Sequence, residues 1–298
     1  MHIQVTEENL PFFEALASPV RIKIIHLLSQ RDANVKELAE AVGVSSAIMT
    51  SHINKLEAVG IIKSQRCGHK GKICSMLNSN FTLQFPYYSK DSQYSYEAEI
   101  PVGHYTAAEV CATCGIADEE KVIYAYDDPR SLFDSKRFGA QLLWFARGYV
   151  EYTVSNYVTA PQTIVSIEIK AELSSEYPHY RDDWPSDIEL YLNGVHVCTW
   201  TSPGDFGDKH GKLTPSWWTS NQYGLLKTFL INDRGIYLDG ELVSDKTLKE
   251  FHLNQEVLRI RFAVSETGLT GGLTIYGKKF GNYAQDIKVC VGYNALEG

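Results

Sequence analysis

The apolar positions of this chain change period partway along it. Over residues 34–58 they recur at helical spacing: Val35, Leu38, Ala39 and Val42, then Met49, Ile53 and Leu56. That spacing predicts two short helices, each with one buried face. Gly43 stands between them, where a helix can end in a left-handed residue, and Ser45 and Ser46 follow with hydroxyls suited to an N-cap. The outward face of the second helix carries Ser45, Ser46, Ala47, Thr50, Ser51 and Asn54, flanked by His52 and Lys55. After Gly60 the run IIKSQRC turns through Gly68, His69, Lys70 and Gly71 and returns as KICSML. This predicts a two-stranded hairpin bearing Lys63, Arg66, His69, Lys70 and Lys72.

From about Asn80 the helical period disappears. YSYEAEIPVGHY, VEYTVSNYV, TIVSIEIKAEL, IELYLNGVHVCTW, GIYLDGELV, VLRIRFAV, GLTIYGKKF and IKVCVGY alternate or run apolar. Turn signals at Asn193-Gly194, Asp239-Gly240 and Gly271-Gly272 separate several of them. Many short strands of this kind predict an antiparallel, jelly-roll-like β-sandwich, with a helical stretch expected only near residues 132–145. The expected fold class is therefore multidomain α+β. A winged helix-turn-helix occupies residues 1–84, and residues 85–115 are a linker or the first strand of the next domain. Residues 116–298 form the sandwich.

Helix, tight turn, helix and basic wing is the order that puts one helix into a DNA major groove and a wing against the flanking backbone. On this reading Ser45, Ser46, Ala47, Thr50, Ser51 and Asn54 reach base edges and phosphates. Lys55, Lys63, Arg66, His69, Lys70 and Lys72 neutralise phosphates. An ordinary small helical domain with a polar face is the plainer alternative; the clustered cations of the wing favour DNA.

The segment FEALASPVRIKIIHLL before the motif sharpens the comparison. Together with Leu16-Ala17-Ser18-Pro19-Val20-Arg21, Glu37-Leu38-Ala39 and Ser51-His52-Ile53 ahead of Leu56, residues 8–80 resemble the ArsR-type winged-helix repressors of bacteria. The resemblance implies a homodimer that binds a double-stranded DNA operator. Metal-binding members of that family carry a cysteine pair on the first helix of the motif. Residues 34–42 contain no cysteine, so metal sensing through that site is not expected.

Length, charge and cysteines narrow the picture further. At 298 residues the chain is too long for a winged helix alone. No apolar run is long enough to span a bilayer, and Met1-His2-Ile3-Gln4 begins no signal peptide, so a cytoplasmic protein without a membrane partner is expected. Residues 1–84 hold nine Lys and Arg against seven Asp and Glu, a balance of +2, which leaves −10 for the remainder of the stated −8. An acidic second domain repels DNA, so only the first should dock on it. Cys111 and Cys114 have CxxC spacing, and Cys67, His69 and Cys74 lie on the wing. A lone CxxC is a weak metal or redox signal, and a structural turn is its simpler reading. Cys198 and Cys290 sit in apolar strand patterns.

Chemistry in the second region is densest over residues 180–223. Trp184, Trp200, Trp217, Trp218 and Tyr223 interleave there with Asp187, Asp205, Asp208, His210 and Asn221. Flat aromatic faces beside carboxylates and amides suit a small polar ligand, with a carbohydrate as the leading candidate. In the competing account, tryptophans fill the sandwich and aspartates cap turns. Adjacent tryptophans on a strand face opposite ways, so at most one of Trp217 and Trp218 should be core. Asp205 and Asp208 could hold Ca²⁺ through oxygens, but their spacing fits no standard calcium loop. Strand, Asn193-Gly194 turn, strand resembles the galactose-binding and carbohydrate-binding modules. The whole layout resembles a group of predicted Firmicutes-type transcriptional regulators. No nucleophile elbow, phosphate loop or zinc-protease motif is present, so neither an enzyme nor a cofactor is expected. The expectation is a DNA-binding regulator, a repressor, whose sandwich senses a small effector. A metal or thiol switch, or a sandwich serving only dimerisation or protein docking, are the alternatives.

Overall fold

The described residues of the N-terminal region hold four α-helices, α1 Leu10–Leu16, α2 Pro19–Gln30, α3 Val35–Val42 and α4 Ser46–Ala58, the last two being the pair that the helical period predicts. The computed structural model describes residues 2–66, 72–78, 81–84 and 94–295, and its contacts divide the chain into two units, Met1–Ser89 and Lys90–Gly298. Five short strands complete the first unit: β1 His2–Gln4, β2 Ala33–Asn34, β3 Ile62–Arg66, β4 Lys72–Met76 and β5 Thr82–Gln84. β3, β4 and β2 form an antiparallel sheet with β4 in the middle, and β1 pairs in parallel with β5.

Local chemistry fixes where these helices begin and end. The Asn34 side chain accepts from the N–H groups of Lys36 and Glu37, while Glu37 returns a carboxylate to the Asn34 N–H, a full capping box at the start of α3. Gly43 closes α3 at φ 80°, a backbone region that favours glycine. Ser45 then caps α4 by accepting from the Ile48 N–H at 3.3 Å. Met49, Ile53 and Leu56 are fully buried together with Ile24, Leu38 and Cys74. Each such side chain contributes about 1.5–3 kcal/mol through burial.

The second unit is built from strands β6 Tyr94–Ile100, β7 Ala107–Ala117, β8 Leu142–Ser155, β9 Thr163–Ser174, β10 Ser186–Leu192, β11 Val195–Ser202, β12 Leu225–Asn232, β13 Ile236–Leu238, β14 Glu241–Ser244, β15 Val257–Val264, β16 Leu273–Tyr276 and β17 Ile287–Asn294. One layer runs β7-β8-β15-β10-β11 and the other β6-β17-β9-β12-β13-β14, all antiparallel. β16 pairs with both β8 and β9 and joins the layers at one end. Alternate residues point inward from both: Val150, Tyr152 and Val154 on β8, Ile167, Ile169 and Ala171 on β9, and Leu258, Ile260 and Phe262 on β15 are all buried in one core. The Asn193-Gly194 and Asp239-Gly240 turns have positive φ at both residues, the conformation that tight hairpins of right-twisted strands require.

Several details depart from the sequence expectation. Residues 132–145 are not an α-helix. Pro129–Phe133 and Ser135–Gly139 form short 3-10 turns, and β8 begins at Leu142. Residues 94–117 supply strands β6 and β7, and β12 emerges from QYGLLKTFLIN, a stretch with no clean alternation. No described helix is long and apolar enough to cross a membrane.

Candidate functional site

Two groups of side chains stand out, one in each unit. In the first, α4 turns Ser46, Ala47, Thr50, Ser51, Asn54 and Lys55 to solvent, opposite the buried Met49, Ile53 and Leu56. Ser45 is exposed as well, but its hydroxyl serves as the helix cap. Thr50 donates to the Ser46 carbonyl within the helix at 2.8 Å. Ile48 is 51 % exposed beside this face, an apolar group that the expected polar face did not include.

On the wing, Lys63 is exposed and Lys72 is not a free cation. Its Nζ lies 3.0 Å from Glu57 Oε2 and donates to Asn54 Oδ1 at 3.5 Å. Glu57 also accepts from the Ser64 hydroxyl and N–H, and these bonds with Lys72 hold its carboxyl below the usual range. In the free domain Lys72 therefore spends its charge on Glu57, and the phosphate role its spacing suggested requires that pair to open. His69, Lys70 and Cys67 lie outside the described residues, as does the side chain of Arg66.

Behind α4, Arg21 is buried at 8 % exposure. Its Nε and Nη2 donate at 2.7 Å to the carbonyls of Ala15 and Glu14 at the end of α1, and Nη1 lies 3.3 Å from His52 Nδ1 on α4. This ties the orientation of α4 to α1. Burial, then Arg21 and Lys55, hold the His52 imidazole below its ordinary pKa.

In the second unit, the residues of 180–223 are not brought to one surface. Trp200 packs in the sandwich core under Lys227. Asp187 is spent on neighbouring segments, accepting from the Thr201 hydroxyl at 2.6 Å and the Leu269 N–H at 3.0 Å. Asp208 accepts from the Tyr223 hydroxyl at 2.6 Å, Tyr223 stacks on Phe206, and His210 is exposed. Trp184 sits edge-on to Tyr177 with Arg181 over its ring. Trp217 and Trp218 stand in a turn, not on a strand, so strand alternation does not govern them. Trp218 is buried, while Trp217 is half-buried and donates to the Glu119 carbonyl.

Trp218 and Asn221 nevertheless line a cleft of about 200 Å³. Its other walls come from Thr113 on β7, Tyr126 and Asp127 before the 3-10 turns, Trp144 on β8, and Glu176 with Tyr177 just past β9. The irregular register of β7 between Cys111 and Cys114 presents Thr113, whose hydroxyl donates to Glu176 Oε1 at 2.7 Å. Asp127 holds a left-handed backbone at φ 57° and accepts from the Cys114 N–H at 3.1 Å. Beneath the cleft, Asp205 is fully buried; its Oδ2 accepts from the Tyr177 N–H, and Oδ1 lies 3.1 Å from Ser174 Oγ. Burial, then the neighbouring Glu176, push Asp205 well above the usual carboxyl range. Its oxygens are thus committed inward, which argues against the calcium loop considered for Asp205 and Asp208. Burial pushes Glu176 up to about 7, with Thr113 opposing and Asp127 adding to the shift.

Burial followed by Asp127 pushes the Cys114 thiol up to about 11, unfavourable for a thiolate ligand, and Cys111 is exposed on the same strand. No cluster of His, Cys, Asp and Glu suited to a metal ion occurs among the described residues. Glu176, Asp127, Trp144 and Tyr126 carried no signal in the sequence because they come from separate segments.

Comparisons with known proteins bear mainly on the first unit. Residues 18–64 match the family described as "Bacterial regulatory protein, arsR family". An HTH-type transcriptional regulator of Methanocaldococcus jannaschii, MJ0229, is 35 % identical over 51 residues, 17 % of this chain and 54 % of that protein. The chain spans about half the length of the curated relatives it matches, 52 % in the case of MT0088 of Mycobacterium tuberculosis. Among solved structures, the ArsR family transcriptional regulator RHA00566 is 31 % identical, with 25 % of this chain and 76 % of that chain covered at a TM-score of 0.23. A CBM36-1 domain of a xylanase from the hindgut metagenome of Trinervitermes trinervoides is 9 % identical, with 67 % of this chain and 100 % of that domain covered at a TM-score of 0.31.

Proposed function

We propose that the protein is a DNA-binding transcriptional regulator, acting as a repressor and as a homodimer, on the strength of an N-terminal domain that matches the arsR family of bacterial regulatory proteins over residues 18–64. The observation that carries this reading is α4: a capped, 13-residue helix whose outer face is small and polar and whose inner face is locked by Met49, Ile53 and Leu56. Such a helix enters a major groove without steric conflict, and its neighbour Ile48 offers an apolar contact to a thymine methyl. Ser46, Ala47, Thr50, Ser51 and Asn54 read base edges. Lys55 and Lys63 contact phosphates, and on this reading Arg66, His69 and Lys70 do so as well. The β domain senses a small polar effector, with a carbohydrate as the leading class. An effector that fits one dimer geometry better than another shifts operator affinity through linkage.

Selection of bound duplexes from a random library by the full chain tests the DNA reading. A single enriched motif is expected, and Ser51→Ala or Asn54→Ala should relax it at one position by about 1–3 kcal/mol. Lys63→Ala should weaken all duplexes alike and flatten the salt dependence. Binding no tighter to any duplex than to bulk DNA sinks the proposal.

A further inference from the structure

The cleft in the β domain brings two carboxyl groups, Glu176 and Asp127, together with no Lys or Arg among the described residues lining it. His179, exposed at the rim, is the one lining side chain able to take a positive charge. Glu176 is 8 % exposed, and its carboxyl group makes one hydrogen bond among the described residues, from Thr113. Among the described residues, the titratable groups that interact with it are Asp127, Asp205, Cys114 and Tyr276, which are acidic or neutral. A carboxylate taken out of water in such company is stabilised by a cation or else takes up a proton.

Beside polar groups such as Thr113, Ser220 and Asn221, the cleft is lined by the aromatic rings of Trp144, Trp218 and Tyr126. Trp144 and Trp218 are both 5 % exposed, with centroids 5.3 Å apart and planes tilted by 54°, and Tyr126 lies 6.0 Å from Trp144. The face of an aromatic ring carries negative potential and attracts a desolvated ammonium group. Rings alone suit the apolar face of a neutral sugar equally well. Rings together with a buried, cation-free carboxylate favour a positive charge. The volume, about 200 Å³, is below the range of drug-sized pockets and limits the guest to a body of monosaccharide size or smaller.

We propose that this cleft binds a small organic cation, an ammonium group on a compact polar or alkyl body, seated on Trp144, Trp218 and Tyr126 and facing Glu176 and Asp127. This rests on the reading of the β domain as an effector sensor and sharpens it from a polar ligand to a positively charged one. An amino sugar and a quaternary alkylammonium share that chemistry, and the test separates them.

All five tryptophans of the chain, Trp144, Trp184, Trp200, Trp217 and Trp218, lie in the β domain. Tryptophan fluorescence of the full chain therefore reports its thermal unfolding, and a ligand of the folded state raises the midpoint. Four probes suffice: glucosamine against glucose, and choline against its neutral isostere 3,3-dimethylbutan-1-ol. A saturable rise with glucosamine or choline, and affinity weaker by about tenfold or more for the matched neutral compound, is expected. Glu176→Gln, which keeps an acceptor for Thr113, should weaken the amine by a similar factor. So should Asp127→Asn at the exposed rim, a variant that keeps the oxygen accepting from Cys114. A rise with glucose equal to that with glucosamine overturns the charge inference and leaves the sensor reading standing. No response to either cation, or undiminished amine binding in both variants, overturns the site. The sensor reading is judged independently, by whether any compound that raises the midpoint also changes operator binding.

Discussion

The two domains treat their polar side chains in opposite ways. In the first, Ser46, Ser51, Asn54 and Lys55 stand outside on α4, and the interior around Met49, Ile53 and Leu56 is almost wholly apolar. In the second, Glu172, Ser174, Glu176, Asp205, Asn221 and Thr274 are buried, while an aromatic ring of the cleft, Tyr126, is 60 % exposed. An outward polar face costs little to fold and is free to bind a large charged partner. Inward carboxyl groups must be satisfied by the chain itself, and any that are not remain available to a small guest.

Glu172 marks the extreme of the second pattern. Its oxygens accept from the N–H groups of Gly224, Asn282 and Tyr283 at 2.9–3.1 Å, which pins the 203–224 loop and the turn before β17 onto β9. Glu172→Ala strands those donors and should destabilise the β domain by about 3–5 kcal/mol, read as a lower urea midpoint in tryptophan fluorescence. Glu172→Gln retains one acceptor oxygen and should lose less. Helix ellipticity, which reports the first domain, should hold its midpoint in both.

Arg21 is the nearest counterpart in the first domain. Arg21→Ala leaves the Glu14 and Ala15 carbonyls without their donors and frees His52, for an expected loss of about 2–4 kcal/mol in helix ellipticity with no change in fluorescence. Coincident loss of both signals in this variant or in Glu172→Ala would show that the two units unfold as one, and the contrast between them would fail.

Opposite pH responses follow from the same contrast. Burial pushes Glu172 up to about 8 and Glu176 up to about 7, and raises Asp205 well above its ordinary value. The folded β domain holds protons that its unfolded chain gives up. Its stability from these groups is complete below the ordinary carboxyl range and is lost as pH rises through about 7 and about 8. His52 in the first domain is shifted down from 6.5, so that domain loses stability as pH falls below the ordinary histidine value. Urea midpoints followed by fluorescence and by ellipticity between about pH 5 and about pH 8.5 should move in opposite directions.

How far the sequence reveals each domain follows from the same distinction. α3 and α4 are readable because one face of each is buried and the other wet, which imprints a period, and because Gly43 and Ser45 punctuate them. The capping box of Asn34 and Glu37 went unread, although an Asn with Glu three residues on is a helix-start signature. Of β8, the part in VEYTVSNYV was readable, but residues 142–145 are buried on both faces and show no alternation, so LLWF passes for a helix. The cleft is harder still. Thr113, Asp127, Trp144, Glu176 and Trp218 meet only through long-range strand pairing, whereas the dense run over residues 180–223 spends its aspartates on its own loops. A contiguous helix displays its chemistry in the sequence; a site assembled from five segments does not.

The smallest effect tests whether the first domain keeps its surface charges as free as the contrast implies. Lys72 and Glu57 are each about a third exposed and 3.0 Å apart, so the pair is worth about 0.2–1 kcal/mol, and Lys72→Ala should barely move the helix midpoint. The informative readout is DNA. A lysine held on Glu57 does not reach a phosphate, so Lys72→Ala should leave the slope of binding against salt near that of the parent, while Lys63→Ala lowers it by about 1. Glu57→Gln removes the competitor and should steepen the slope by releasing Lys72 toward the backbone. Equal slopes for Lys72→Ala and Lys63→Ala would mean that Lys72 leaves Glu57 when DNA arrives. The ion pair would then be a resting contact of the free domain that binding exchanges for phosphate.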